Sequence, residues 1–309
     1  MTLIKKPNEI SKDIKLKGLI YGDPGTGKTT CAISSPHPLL IDFDNGLRRV
    51  SKQYQVDSVQ IESYQDLLDI LTKEDISNYK TIVIDTLGKM VDRIGDWLAV
   101  KNPKVKQADG QLSMKGWGNV KNEFQRLLKL LESKNKSVIF VAHTKEEKDG
   151  DLIKQRPDVA GSSGKDIVKE LDFMGYMSII GSKRTIDLMP NEKYYAKNSL
   201  GLESFLEFNN IATENDFLKN KIFDAYSEKL ENDNELSEKY NDLISVIESQ
   251  ITELENLDQV NEYYQNGYQN LEIIWSSNIY KKHKLAEKVE ELGLTFNKES
   301  KLFELKEND

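Results

Sequence analysis

The sequence predicts an α/β fold: a mostly parallel sheet covered by helices on both faces, followed by a helical C-terminal region. Three observations carry this. Short apolar runs alternate with helix-length amphipathic stretches through the first two-thirds of the chain. One of those runs, at 19–21, leads directly into a glycine loop, Gly22-Asp23-Pro24-Gly25-Thr26-Gly27, followed by Lys28-Thr29-Thr30 at a helix start. After about residue 210 the strand signal stops and only 3-and-4 apolar spacing remains.

Strands are expected at 16–21, 38–43, 58–61, 81–85, 137–142, 173–180 and 183–188, with helices at 63–72, 87–100 and 120–133. Runs that are apolar throughout, such as Ile82-Val83-Ile84, fit strands buried on both faces. Helices between such strands act as crossovers and make the sheet parallel. Ligands in these sheets bind at the carboxyl ends of the strands. Further on, Leu236, Tyr240, Leu243, Ile247, Ile251 and Leu254 form a helical stripe. Phe217, Ile222, Phe223, Tyr226 and Leu230 suggest a helix before it. Residues 260–271 and 284–292 read as two more, with Gly293 as a stop. The expected organisation is a core at 1–210 and an acidic helical region at 211–309.

The chain has 309 residues and a net charge of −8, unevenly spread. Through Ser204 there are 32 Lys+Arg against 28 Asp+Glu; after it there are 11 against 23. The first part has room for a basic surface, and the tail repels polyanions. Cys31 is the only cysteine, so no disulfide forms within the chain and a cysteine-based zinc site is excluded. His37, His143 and His283 are scattered, which argues against a structural metal. No apolar run approaches the roughly 18 residues of a membrane span. Residues 1–17 lack the apolar core of a secretory signal. A cytosolic protein with no membrane partner is expected.

Residues 22–29 read G-x-x-x-x-G-K-[ST], the phosphate-binding P-loop. Gly22, Gly25 and Gly27 allow the tight turn that points several N–H groups at one anion. The following helix adds its N-terminal dipole. Lys28 supplies a charge for the β- and γ-phosphates, and the Thr29 hydroxyl is placed to ligate Mg²⁺. The strand at 81–85 ends in Asp85, the Walker B form that supports the same Mg²⁺. ATP with Mg²⁺ is the expected cofactor pair. Asp23, Pro24, Thr26 and Thr30 complete the expected nucleotide-binding set.

The spelling of the loop resembles AAA+ enzymes, in which a glutamate follows the Walker B aspartate and activates water. Here Thr86 follows, which points away from them: either the base comes from elsewhere, or the chain does not hydrolyse. The strand 39–43 leads into Asp42-Phe43-Asp44-Asn45-Gly46. Two acids at i and i+2 face the same way only if the strand runs through both. Asp44 is then the candidate to hold the attacking water; the alternative is that it caps the Asn45-Gly46 turn. The strand 138–142 ends at His143, a candidate sensor of the γ-phosphate. Two lysine-bearing segments read as polar loops. One is 101–117, with Lys101, Lys104, Lys106, Lys115 and Trp117; the other is 144–165, with Lys145, Lys148, Lys154, Arg156 and Lys165. Either can track a single strand by charge and stacking, or be a solvated surface.

Taken in order, the P-loop, Asp44, Asp85 with Thr86, and His143 resemble the RecA-like ATPase core. In RecA an acid at the place of Asp44, usually glutamate, activates water. The segment 141–145 is similar to the matching stretch of RadA. Ala196-Lys197-Asn198-Ser199-Leu200-Gly201 is similar to the Lys-Asn-Arg-Phe-Gly motif of RadA and hexameric helicases, where Lys and Arg reach a neighbouring subunit's γ-phosphate. Lys197 matches, whereas Ser199 replaces the arginine, so the resemblance implies trans-activation that is weak, or carried by Lys197 alone or by Arg184. The pattern over residues 10–205 resembles the small phage-encoded RecA-like ATPases of the Sak group. That resemblance implies a recombination ATPase that binds single-stranded DNA and promotes annealing or strand pairing in a bacterial host cytoplasm. It also implies an oligomer or filament. A single-strand-binding protein or other recombination protein would meet the C-terminal region. Two rivals stand beside it. One is a nucleotide-switched loader that hydrolyses slowly and acts on a partner protein. The other is a small-molecule kinase, for which six scattered arginines are few.

Overall fold

Alternate residues of each central strand face opposite sides of one sheet, as the period of two requires. In the computed structural model, which describes residues 15–150, 152–160, 163–208, 215–266 and 275–306, that alternation is carried through four neighbouring strands. Leu19, Leu39, Ile41, Ile82, Ile84, Val138 and Phe140 face one side; Ile20, Leu40, Val83, Ile139 and Val141 face the other.

The chain divides into two units. The first, Glu9–Glu228, carries in order β1 (Lys17–Gly22), α1 (Lys28–Ala32), β2 (Pro38–Asp42), β3 (Ser58–Gln60), α2 (Tyr64–Lys73), β4 (Thr81–Asp85) and α3 (Leu87–Lys101). It continues with α4 (Met114–Ser133), β5 (Ser137–Asp149), β6 (Leu152–Pro157), α5 (Ser163–Glu170), β7 (Phe173–Ile180), β8 (Lys183–Asp187), β9 (Lys197–Asn198) and β10 (Phe205–Phe208). The sheet order is β10-β8-β7-β1-β5-β4-β2-β3. The six strands from β7 to β3 are mutually parallel, and β8 and β10 continue the sheet antiparallel to their inner neighbours.

One face is covered by α2, α3 and α4. Helix α2 starts in a capping box between Ser63 and Asp66. Val120, Phe124, Leu127 and Leu131 of α4 recur at helical spacing and are buried against the sheet. The other face is covered by the short α1 and by residues 217–223. Phe217, Leu218, Ile222 and Phe223 are buried there. The Ser34 hydroxyl and carbonyl accept from the Leu218 and Lys219 amides at 2.9 and 3.0 Å. These residues belong to the expected helical region by pattern, yet they pack on the sheet, so the first unit runs to Glu228 rather than 210. The Phe217 ring lies 4.7 Å from that of Phe208. Phe217→Ala is expected to destabilise the first unit by about 3–5 kcal/mol in denaturant unfolding. A loss below about 1 kcal/mol would show that this segment is not part of that core.

Two expectations change. The segment 144–165 is not a loop: β5 runs on to Asp149 and pairs with β6 as a hairpin. Lys165 falls in α5, and its side chain lies outside the described residues. The segment 101–117 is mostly ordered by helix ends. Ser113 caps α4 by accepting from the Gly116 amide at 3.1 Å, and Trp117 packs against the core instead of standing free.

The second unit, Lys229–Asp309, holds most of α6 (Ala225–Thr252), then α7 (Leu257–Asn266), α8 (Trp275–Glu291), β11 (Leu294–Asn297) and β12 (Leu302–Leu305). Leu243, Ile247, Ile251 and Leu254 of the predicted stripe pack with Val260, Leu285 and Val289, while Leu236 is exposed. Gly293 does end α8, with φ of 66°. The helix expected at 260–271 is present through Asn266, and its last positions lie outside the described residues. The antiparallel β11–β12 hairpin corrects the expectation of helices alone. Among the described residues no helix is long and apolar enough to cross a membrane.

Candidate nucleotide site

Strand order places the chemistry. β5 lies between β1 and β4, so the ends of β1, β5, β4 and β2 form one row. In register, Gly22 pairs with His143, and Asp42 pairs with Asp85. A cleft of about 270 Å³ opens there. Lys28, Thr29, Thr30, Asp44, Asp85 and His143 line it, together with Pro24, Gly25 and Gly27.

The P-loop is shaped by two glycines in particular. Gly27 has φ of 98° and stands at the start of α1, a conformation costly for any side chain. At Gly22 a Cβ would lie 2.1 Å from the Met177 carbonyl oxygen of β7. The Asp23 carbonyl accepts from Thr26 Oγ1 at 2.9 Å and from Lys28 Nζ at 2.7 Å. Lys28 is thereby held over the loop. It is 6% exposed; burial lowers its pKa, against the pull of Asp85, Asp23 and Asp44. Helix α1 has only five residues, so its dipole is weaker than the sequence led one to expect, and side-chain cations carry more of the field.

Thr29 Oγ1 donates to Asp85 Oδ2 at 2.5 Å. Asp85 is buried, and burial raises its pKa to about 6, with Asp42 and Asp44 adding to the rise. A buried carboxylate next to a hydroxyl, with no ion pair to it among the described residues, is a hard-oxygen pair that fits Mg²⁺. Thr86 follows Asp85 and is buried at the start of α3, where its hydroxyl makes no cap hydrogen bond.

The two acids at the end of β2, Asp42 and Asp44, have different partners. The strand stops at Asp42. Its carboxylate accepts from the backbone N–H of Asp44 at 2.9 Å, Gly46 at 3.1 Å and Leu47 at 3.0 Å. Asp42, not Asp44, therefore caps the turn. That releases the Asp44 side chain into the cleft, where Lys89 of α3 donates to it and Arg49 lies 3.6 Å away. Burial opposes its charge, yet the Lys89 hydrogen bond and the charges of Lys89, Arg49 and His143 hold its carboxyl below the usual carboxylate range. His143 is half-buried with Nδ1 unpartnered. Burial and the Lys28 charge lower its pKa, so the ring is neutral near neutral pH.

Lys197 is not in this cleft. Its ammonium donates to the carbonyls of Val168, at 3.1 Å, Lys169 and Leu171, which places it at the end of α5. Sequence reasoning passed over Lys89 and the role of Asp42. Lys89 had a signal: it lies in the first turn of the helix that leaves Asp85, and such a turn faces the strand ends.

A protein-family model described as AAA domain matches residues 14–200. The chain belongs to that AAA domain family. The family match leaves the reading from Thr86 in place: this AAA domain has threonine, not the AAA+ glutamate, after Asp85. Its sheet order and P-loop make it a RecA-like P-loop ATPase unit. Among solved structures, the RadB recombinase is similar at 14% identity and a TM-score of 0.37, covering 56% of this chain and 79% of that one. No curated protein sequence matches this AAA-domain chain.

Proposed function

We propose that the chain is an Mg²⁺-dependent ATPase that binds single-stranded DNA and promotes annealing or strand pairing. The observation that supports it best is the meeting of Lys28, Thr29, Asp85, Asp44 and His143 from four strand ends in one cleft. Lys28 and the loop hold the phosphates. Thr29 and Asp85 would hold Mg²⁺, whose chemistry is to neutralise phosphate charge. Asp44 orients the attacking water, and neutral His143 is placed to hydrogen-bond the γ-phosphate.

Both lysine-bearing segments are candidates for DNA contact, and in both several cations are already engaged: on the β5–β6 hairpin Lys145 pairs with Asp158, Arg156 with Glu147, and Lys154 lies 4.4 Å over the Tyr195 ring. The hairpin exposes Leu152 and Ile153 at its end and carries Lys145, Lys148, Lys154 and Arg156 along its length. In the other segment Lys101 sits 3.4 Å over the Trp97 ring and Lys106 pairs with Asp96. A second reading, a slow nucleotide switch acting on a partner protein, is favoured by one observation: Asp44 is paired with Lys89, which weakens it as a base. ATP turnover measured with single-stranded DNA, double-stranded DNA, RNA and no nucleic acid separates the two. The first reading expects single-stranded DNA to raise turnover, binding to weaken steeply with salt, and chelation by EDTA to stop it. Turnover indifferent to every nucleic acid leaves the switch.

A further inference from the structure

Arg184 lies on β8, two strands from the P-loop strand, and still enters the nucleotide cleft. Its stem is packed beside the loop: a Cβ built on Gly27 would lie 3.3 Å from both Cδ and Nε of Arg184. Nε is buried and has no hydrogen-bond partner. A guanidinium with a buried, unsatisfied N–H, open to a phosphate-binding cleft, is an anion site waiting for its acceptor. Lys28, on the other side of Gly27, is already engaged by the Asp23 carbonyl.

We infer that Arg184 contacts the γ-phosphate of the nucleotide bound by its own chain and acts there as a built-in arginine finger. The inference rests on the ATPase reading. In hydrolysis the water oxygen bonds to the γ-phosphorus while the β–γ bridging P–O bond breaks. The bond's electron pair stays on ADP, and the water's proton leaves by way of Asp44 to solvent. Negative charge shifts towards the bridging and γ oxygens, where a planar cation with parallel donors stabilises it better than a point charge. Such an arginine supplied in cis removes the need for one from a neighbour. That accounts for Ser199 at the position where RadA-like motifs carry arginine, and for Lys197 being held on carbonyls.

The test compares full-length wild type, Arg184→Ala and Arg184→Lys in ATP turnover and in the affinities for ATP and ADP, with thermal unfolding as the folding control. It adds an equimolar mixture of Arg184→Ala with Lys28→Ala chains. Arginine fingers are worth about 10³ to 10⁵ in turnover, so Arg184→Ala should lose at least about a hundredfold. It should also lose preference for ATP over ADP while keeping its ADP affinity. Arg184→Lys keeps the stem and the charge, folds even where alanine does not, and should recover only part. The mixture should stay inactive, because neither chain has both groups in one cleft. Wild-type turnover by Arg184→Ala, or an unchanged ATP-to-ADP affinity ratio, would overturn the assignment. Recovery in the mixture would overturn the cis geometry. If the wild type itself does not hydrolyse ATP, the ATPase reading fails, and the affinity ratio still tests the Arg184 contact.

Discussion

Lys28→Ala is expected to reduce ATP turnover by about 10²- to 10³-fold, the loss typical of removing one preorganised charge-stabilising donor. The lysine is buried and its ammonium is fixed on the Asp23 carbonyl; burial lowers its pKa, and Asp85, Asp23 and Asp44 offset part of that lowering. It is a cation prepared before the nucleotide arrives, so the cost of orienting it belongs to folding and not to the reaction. Truncation also leaves the Asp23 carbonyl without its partner, which adds loosening of the loop. A turnover assay at saturating ATP, with ATP affinity measured alongside, reads the effect. Undiminished hydrolysis would sink the assignment of this loop.

Asp85→Asn should separate stability from chemistry. The side chain is 3% exposed and sits near two further acids, Asp42 and Asp44, and burial makes its charge unfavourable. Asparagine keeps the shape and the acceptor for Thr29 Oγ1 while removing that charge. The melting temperature without nucleotide should be equal to or above that of the wild type. Turnover should fall by about 10²-fold or more, since an amide is a poor ligand for a hard cation beside phosphate. Opposed signs of this kind mark a residue kept for function at a cost in stability. A large drop in melting temperature with retained turnover would make Asp85 a structural group instead.

The parts of this site that were legible in the sequence are those written in contiguous residues. The P-loop and the strand ending in Asp85 need only local spacing, and the strand order then brings them together. Asp42 and Asp44 could not be told apart, because the difference depends on where β2 stops, and that is decided by three backbone amides finding one carboxylate. Arg184 and Lys197 were both visible in the sequence as candidates to reach a phosphate, but not told apart. Both are cations late in the unit, and only the packing of β8 beside the loop and of β9 beneath α5 assigns one to the cleft and the other to a helix end. The β5–β6 hairpin was missed because β5 is polar on both faces beyond His143 and β6 has only the adjacent Leu152-Ile153 before polar residues, so no apolar alternation marks either strand. Residues 217–223 were read correctly as helix-like in pattern, but pattern alone does not say which surface such a segment covers.

The Asp42 clamp has a dynamic consequence. One carboxylate terminates three amides between Asp44 and Leu47, so the order of this loop depends on a single side chain. Turning a single side chain frees all three amides together, and with them the Asp44 carboxylate and Gly46, which borders the Thr29–Asp85 pair. Asp44 and the Gly46 wall beside Thr29 and Asp85 therefore share one anchor, the Asp42 carboxylate.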